Sequence, residues 1–195
     1  MTNNPLHHFF GFVASHKLAW LFMVCLLGIG ADQASKLWAQ KNLAEAYEVH
    51  SSDPANKNLV FYPTKVVTIA PKVFNLAYKE NPAAAFSLTR SIPEWFRRPM
   101  LISVSILATL FFLYWYFRLT NDGLMLVSFS FILAGAMGNL TDRIRLGYVI
   151  DFLDVHAEFL GYPHLHWPTF NIADTLIVLG AIGVVIRTLW PNKSN

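Results

Sequence analysis

Two aspartates, Asp151 and Asp174, have the side chains in this sequence best placed to do chemistry, because each lies where a long apolar segment meets a polar one. An ionisable group at the edge of hydrocarbon is costly unless it is paired or used, so such acids mark a candidate functional site. Two carboxylates held close together cannot both ionise readily. One keeps its proton, and the pair offers a base and an acid at once. That combination activates water against an amide carbonyl and then protonates the leaving nitrogen. The sequence holds no nucleophile elbow, no Gly-rich phosphate loop and no HExxH to compete with it. His156, His164 and His166 raise zinc as a thought, but an HxH pair in a Tyr/Pro/Trp-rich loop beside Trp167 reads more simply as interfacial histidines. No metal and no other cofactor is expected.

Taken singly, the neighbouring polar residues have plain structural readings. Asp32 and Lys36, four apart, suit an ion pair at a helix end. Asp142 and Arg143 suit a structural pair or a lipid-headgroup contact as well as they suit catalysis. Asp174 suits an N-cap or a first-turn acid favoured by the helix dipole. Asp151 and Asp154 share a face if their segment is helical, and either is then a solvated surface acid.

The elements that must position these residues are mostly membrane spans. Hydrophobic residues make up 54% of the 195 and charged residues only 14%, against about 25% charged in a typical soluble domain. The net charge of +3 does not point to nucleic acid, because Lys and Arg form no run or stripe. Cys25 is alone and sits in an apolar run, which excludes an internal disulfide and a CxxC metal site.

Leu18 to Ala31 is uncharged for 14 residues, a helix of about 21 Å that must borrow flanking residues to cross a core of about 30 Å. It resembles a signal-peptide core, but it leads into Asp32-Gln33-Ala34-Ser35-Lys36 rather than a processing site, so it reads as a retained span. Pro99 to Phe117 and Gly123 to Thr141 are each uncharged for 19 residues, and Asp174 opens the last apolar run. The expected architecture is mostly α and polytopic, one domain over residues 1–195, with spans at about 16–37, 99–118, 122–141 and 172–190. The loop at about 38–98 contains two β-prone runs, 65–70 and 72–78, separated by Pro71, which predict a small sheet on the membrane.

Four antiparallel spans place the ends of spans one and three and the start of span four on one face. Asp32, Lys36, Asn81, Asp142, Arg143, Asp151, Asn171 and Asp174 therefore collect there, and the opposite face holds only short turns and tails. Basic residues do not decide which side this is. Four of the 15 lie on the terminal side and eleven on the site side, but most of the eleven border a long loop that contributes poorly to the positive-inside rule.

The motifs DQxSK at 32–36, NxxAAF at 81–86, GNLxDR at 138–143, VxDF at 149–152 and FNxAD at 170–174 resemble, in order and spacing, those of lipoprotein signal peptidase, the signal peptidase II family of aspartyl peptidases. The resemblance runs from span one to span four. It implies a four-helix bacterial inner-membrane peptidase with a small extracytoplasmic β-cradle and both termini cytoplasmic. Such an enzyme removes signal peptides from diacylglyceryl-modified prolipoproteins, acting as a monomer among membrane lipids. Carried over by position, Asp151 and Asp174 are the catalytic pair. Asn81, Asn139 and Arg143 hold the substrate, and Asp32, Lys36, Asp142 and Asn171 support them. Two departures stand out: Ala83, after Pro82, where the family usually has glycine, and a longer, more polar region over about 44–77. They motivate an alternative, a non-catalytic paralogue that binds lipidated proteins.

Overall fold

The computed structural model describes residues 5–44, 65–82, 92–118, 122–156 and 167–190. Ala83 to Phe86, most of the 44–77 region, and His164 and His166 lie outside them. A short helix, α1 (Pro5–Ser15), precedes four helices long and apolar enough to cross a membrane: α2 (Lys17–Leu43), α3 (Glu94–Arg118), α4 (Gly123–Arg145) and α5 (Ile172–Leu189). Three short strands, β1 (Val67–Ala70), β2 (Phe74–Asn81) and β3 (Val149–Val155), complete the expected mostly helical architecture.

Helix α4 is the axis of the bundle, because α1, α2, α3 and α5 all pack on it. Of its apolar window 61% is buried, against 11% for each other span. Its sequence explains this, since Ala134, Gly135, Ala136 and Gly138 let neighbouring backbones approach, as packing inside a bilayer requires. One end of α4 buries Leu126, Phe129 and Leu133 against Val13 and Tyr116, and the Tyr116 hydroxyl donates to the Lys17 carbonyl at 2.6 Å. The outer helices turn Phe22, Leu26, Leu107, Phe111, Ile182 and Val185 outward, the surface that lipid tails cover.

At this end Asp122 caps α4 by accepting from the Met125 amide at 3.1 Å. Its other carboxylate oxygen pairs with Arg187 of α5. Phe10 of α1 also packs here, against Gly123.

Three of the four long helices, α2, α3 and α4, run longer than the spans expected from the sequence. Helix α2 continues to Leu43 rather than stopping near residue 37, because Asp32 and Lys36 meet partners inside the protein instead of solvent. That extension places Ala39 and Leu43 beneath the sheet, packed on Tyr78, Ile150 and Phe152. Helix α3 starts at Glu94, whose charge suits a first turn, and α4 ends at Arg145. The loop expected at 38–98 is correspondingly shorter.

The larger correction concerns the segment after α4. Asp151 and Asp154 do not share a helix face; they lie on β3, an edge of the antiparallel sheet whose order is β1-β2-β3. Val149, Ile150, Phe152 and Val155 favour a pleated, half-buried surface, and two acids within seven residues mask that signal. Gly147, at φ 85°, turns the chain out of α4 into β3, a left-handed conformation that side-chain-bearing residues resist. Strand β2 runs on to Asn81, three residues past the β-prone run that ends at 78. An irregularity between Leu76 and Lys79 shifts the register by one residue, which sets Lys79 opposite Asp151 and Asn81 opposite Val149. Phe170 then bridges to Leu153, its amide donating at 3.0 Å and its carbonyl accepting at 2.8 Å. This bridge delivers the start of α5 to β3.

Candidate active site

Helix α5 begins with a reciprocal cap. The Asn171 side-chain oxygen accepts from the Asp174 amide at 2.9 Å, and Asp174 Oδ2 accepts from the Asn171 amide at 3.2 Å. Two helix-start donors are satisfied in this way, and one atom of each side chain is left facing inward. Asn171 Nδ2 donates to Asp151 Oδ1 at 2.8 Å. Asp174 Oδ1 accepts from Asn139 Nδ2 at 2.8 Å. The two amides also meet, Asn171 Nδ2 lying 3.1 Å from Asn139 Oδ1. The acids of β3 and α5 are thus joined through two asparagines, and Asn81 of β2 donates to the remaining oxygen of Asp151 at 3.0 Å.

Burial dominates the electrostatics. Asp151 is 2% exposed, and loss of solvent, reinforced by the charge of Asp174, pushes its carboxyl up to about 7. The amides of Asn81 and Asn171 and the charge of Lys36 pull the other way and are outweighed. Near neutral pH the pair therefore carries a proton that is readily given and taken. Arg143 adds a positive charge that acts on both Asp151 and Asp174.

Behind the acids lies a buried ionic cluster. Lys36 Nζ sits 2.8 Å from Asp32 Oδ2 and 2.9 Å from Asp142 Oδ2, and it donates to Asn139 Oδ1 at 3.0 Å. Gly138 makes room for this: a Cβ there would lie 2.7 Å from Asp32 Oδ2. Eight of the nine residues singled out from the sequence, Asp32, Lys36, Asn81, Asn139, Asp142, Asp151, Asn171 and Asp174, thus form one continuous hydrogen-bonded network, and Arg143 adjoins it. The Asp32–Lys36 pair forms as the spacing suggests, but deep in the protein rather than at a helix end.

Asp154 and His156 stand apart. They pair with each other at 2.8 Å beside Asn75, and Asp154 is 7% exposed rather than solvated. Two participants had no role from sequence. Gln33 donates to Asp142 Oδ1 at 2.9 Å and accepts from Arg145 at 3.1 Å. Ser105 accepts from Arg143 Nη1 at 3.3 Å; it is one of two serines in its span, beside Ser103, so the sequence did not single it out.

Known proteins agree with this architecture. The family model described as signal peptidase (SPase) II matches residues 24–190. A lipoprotein signal peptidase of Anaeromyxobacter sp. (strain Fw109-5) is 33% identical over 91% of this chain and 86% of its own length. One from Acinetobacter baumannii is 35% identical over 91% and 87%. The solved structure called a bacterial membrane enzyme, determined by the in meso method at 2.3 Å, superposes with a TM-score of 0.65 at 22% identity, covering 91% of this chain and 93% of that one.

Four spans around a buried network holding four carboxylates, with the family match, define a multi-pass bacterial membrane protein of the aspartic peptidase class. Within that class, the chain belongs to the signal peptidase II family.

Proposed function

We propose that Asp151 and Asp174 are the catalytic pair of an endopeptidase that removes signal peptides from diacylglyceryl-modified prolipoproteins. The observation that carries this reading is the two-asparagine bridge, which holds both carboxyls at one end of the bundle with the proton of Asp151 titrating near 7. The ionised member of the pair draws a proton from water as the oxygen attacks the scissile carbonyl, and the protonated member supplies one to the departing nitrogen. Arg143 and Asn81, at the open side of the network, face the substrate. Asn139 gives one amide hydrogen to Asp174 and has its second for the substrate backbone. Asp32, Lys36, Asp142 and Asn171 support these groups.

The enzyme lies in the bacterial cytoplasmic membrane as a monomer surrounded by lipid. Its site and sheet face the extracytoplasmic side, where precursors emerge, and both termini are cytoplasmic.

Purified Asp151→Asn and Asp174→Asn proteins, given a lipidated precursor, are expected to lose cleavage by at least about 10³-fold while remaining folded in detergent. Cleavage at the wild-type rate by either variant overturns the assignment.

A further inference from the structure

Each proposed catalytic acid is preceded by a residue whose backbone is held from a different helix. Asp32 of α2 accepts from the Ala173 amide at 2.9 Å, one residue before Asp174. Asp142 of α4 accepts from the Ile150 amide at 3.2 Å, one residue before Asp151. Lys36 joins the two anchors, and its third donor goes to Asn139, the amide that holds Asp174. Three acceptors use all three ammonium hydrogens. Lys36 and both acids are each no more than 1% exposed. A buried cluster of this kind adds little stability over apolar residues of similar size, because desolvation offsets the attraction. Its connections therefore suggest a geometric role.

Resting on the catalytic pair above, we propose that Lys36, with Asp32 and Asp142, is a positioning clamp that fixes the separation of the two carboxylates from behind, through the backbone at 173 and 150 and through Asn139. The groups facing Lys36 are Asp32 on its own helix and Asp142 and Asn139 on α4. The catalytic pair lies beyond Asn139, where Arg143 also acts. Lys36 touches no substrate and transfers no proton. It holds the acids in register, and its charge favours the ionised form of Asp151.

The test compares full-length wild type, Lys36→Gln and Asp142→Asn, with Asp151→Asn alongside, in detergent with a lipidated precursor. Rates are taken per folded molecule, counted in the monodisperse fraction. Lys36→Gln is expected to lower kcat about 10²-fold, the scale of a misplacement near 1 Å, with KM within about twofold. It is also expected to move the alkaline limb of the pH profile to higher pH, because the ammonium no longer favours ionisation. Unchanged kcat and an unmoved limb overturn the clamp. If Lys36→Gln yields no folded fraction, Asp142→Asn decides the matter: it replaces the carboxylate that holds the Ile150 amide and Lys36 with a neutral acceptor and so weakens both bonds, and a kcat loss of about tenfold at constant KM is expected. Wild-type kcat there overturns the clamp. An inactive Asp151→Asn beside a fully active Lys36→Gln sinks the clamp alone, whereas an active Asp151→Asn sinks the catalytic reading beneath it.

Discussion

The carboxyl of Asp151 connects burial to pH behaviour. It sits between the amides of Asn81 and Asn171, yet desolvation holds it near 7 rather than at the ordinary value of about 3.9. An acid raised on folding stabilises the folded state fully below its unfolded value. That contribution is lost as pH rises through the folded value, here between about 4 and 7. In the proposed mechanism activity follows the same proton, since the pair needs one carboxyl protonated to release the leaving group. Cleavage is expected to fall about tenfold per pH unit above roughly 7, which a rate profile from pH 5 to 9 measures. Asp151→Asn removes the group, so the dependence of melting temperature on pH should flatten between pH 4 and 7; an unchanged slope would refute the origin given for it.

Among the elements, β3 has the most consequence for its size. Its amides and carbonyls serve β2 on one edge and Phe170 on the other, so seven residues fix where both acids stand. Leu153 is the joint, because its amide donates to Phe170 at 2.8 Å. Proline there removes that donor. Leu153→Pro is expected to reduce cleavage by at least about 10²-fold with the four spans still inserted. Protease accessibility of the inserted protein checks the insertion, and a precursor assay checks the rate. Substitution of an exposed residue on β1, such as Thr68, should leave the rate near wild type, since β1 pairs only with β2.

The whole molecule has two unlike ends. One carries the sheet and the buried network, and the other carries the Asp122–Arg187 pair and the Tyr116–Lys17 bond. The proposed removal of signal peptides on the outer side requires the first end to face outward. With Cys25 replaced by Ser, a cysteine at exposed Lys72 should react with a membrane-impermeant thiol reagent on intact spheroplasts. One at exposed Trp190 should react only after the membrane is opened. The reverse pattern would invert the topology.

Much of this was legible in the chain itself. Apolar runs of 19 residues leave a span little alternative, and the parity of four spans alone gathers Asp32, Asp142 and Asp174 at one end. The strand at 149–155 was not legible, because Asp151 and Asp154 look polar until Ile150 and Phe152 are seen packed on Tyr78, Ala39 and Leu43. Helix α2 outran its apolar segment for a related reason. A charged residue ends a span only when its partner is water, and here the partner is Asp142, 106 positions beyond Lys36 along the chain. Local pattern thus determined which segments cross the membrane and which residues are chemically able. Only the tertiary structure decided which polar atoms meet, because hydrogen bonds between distant segments depend on packing that no window of neighbouring residues contains.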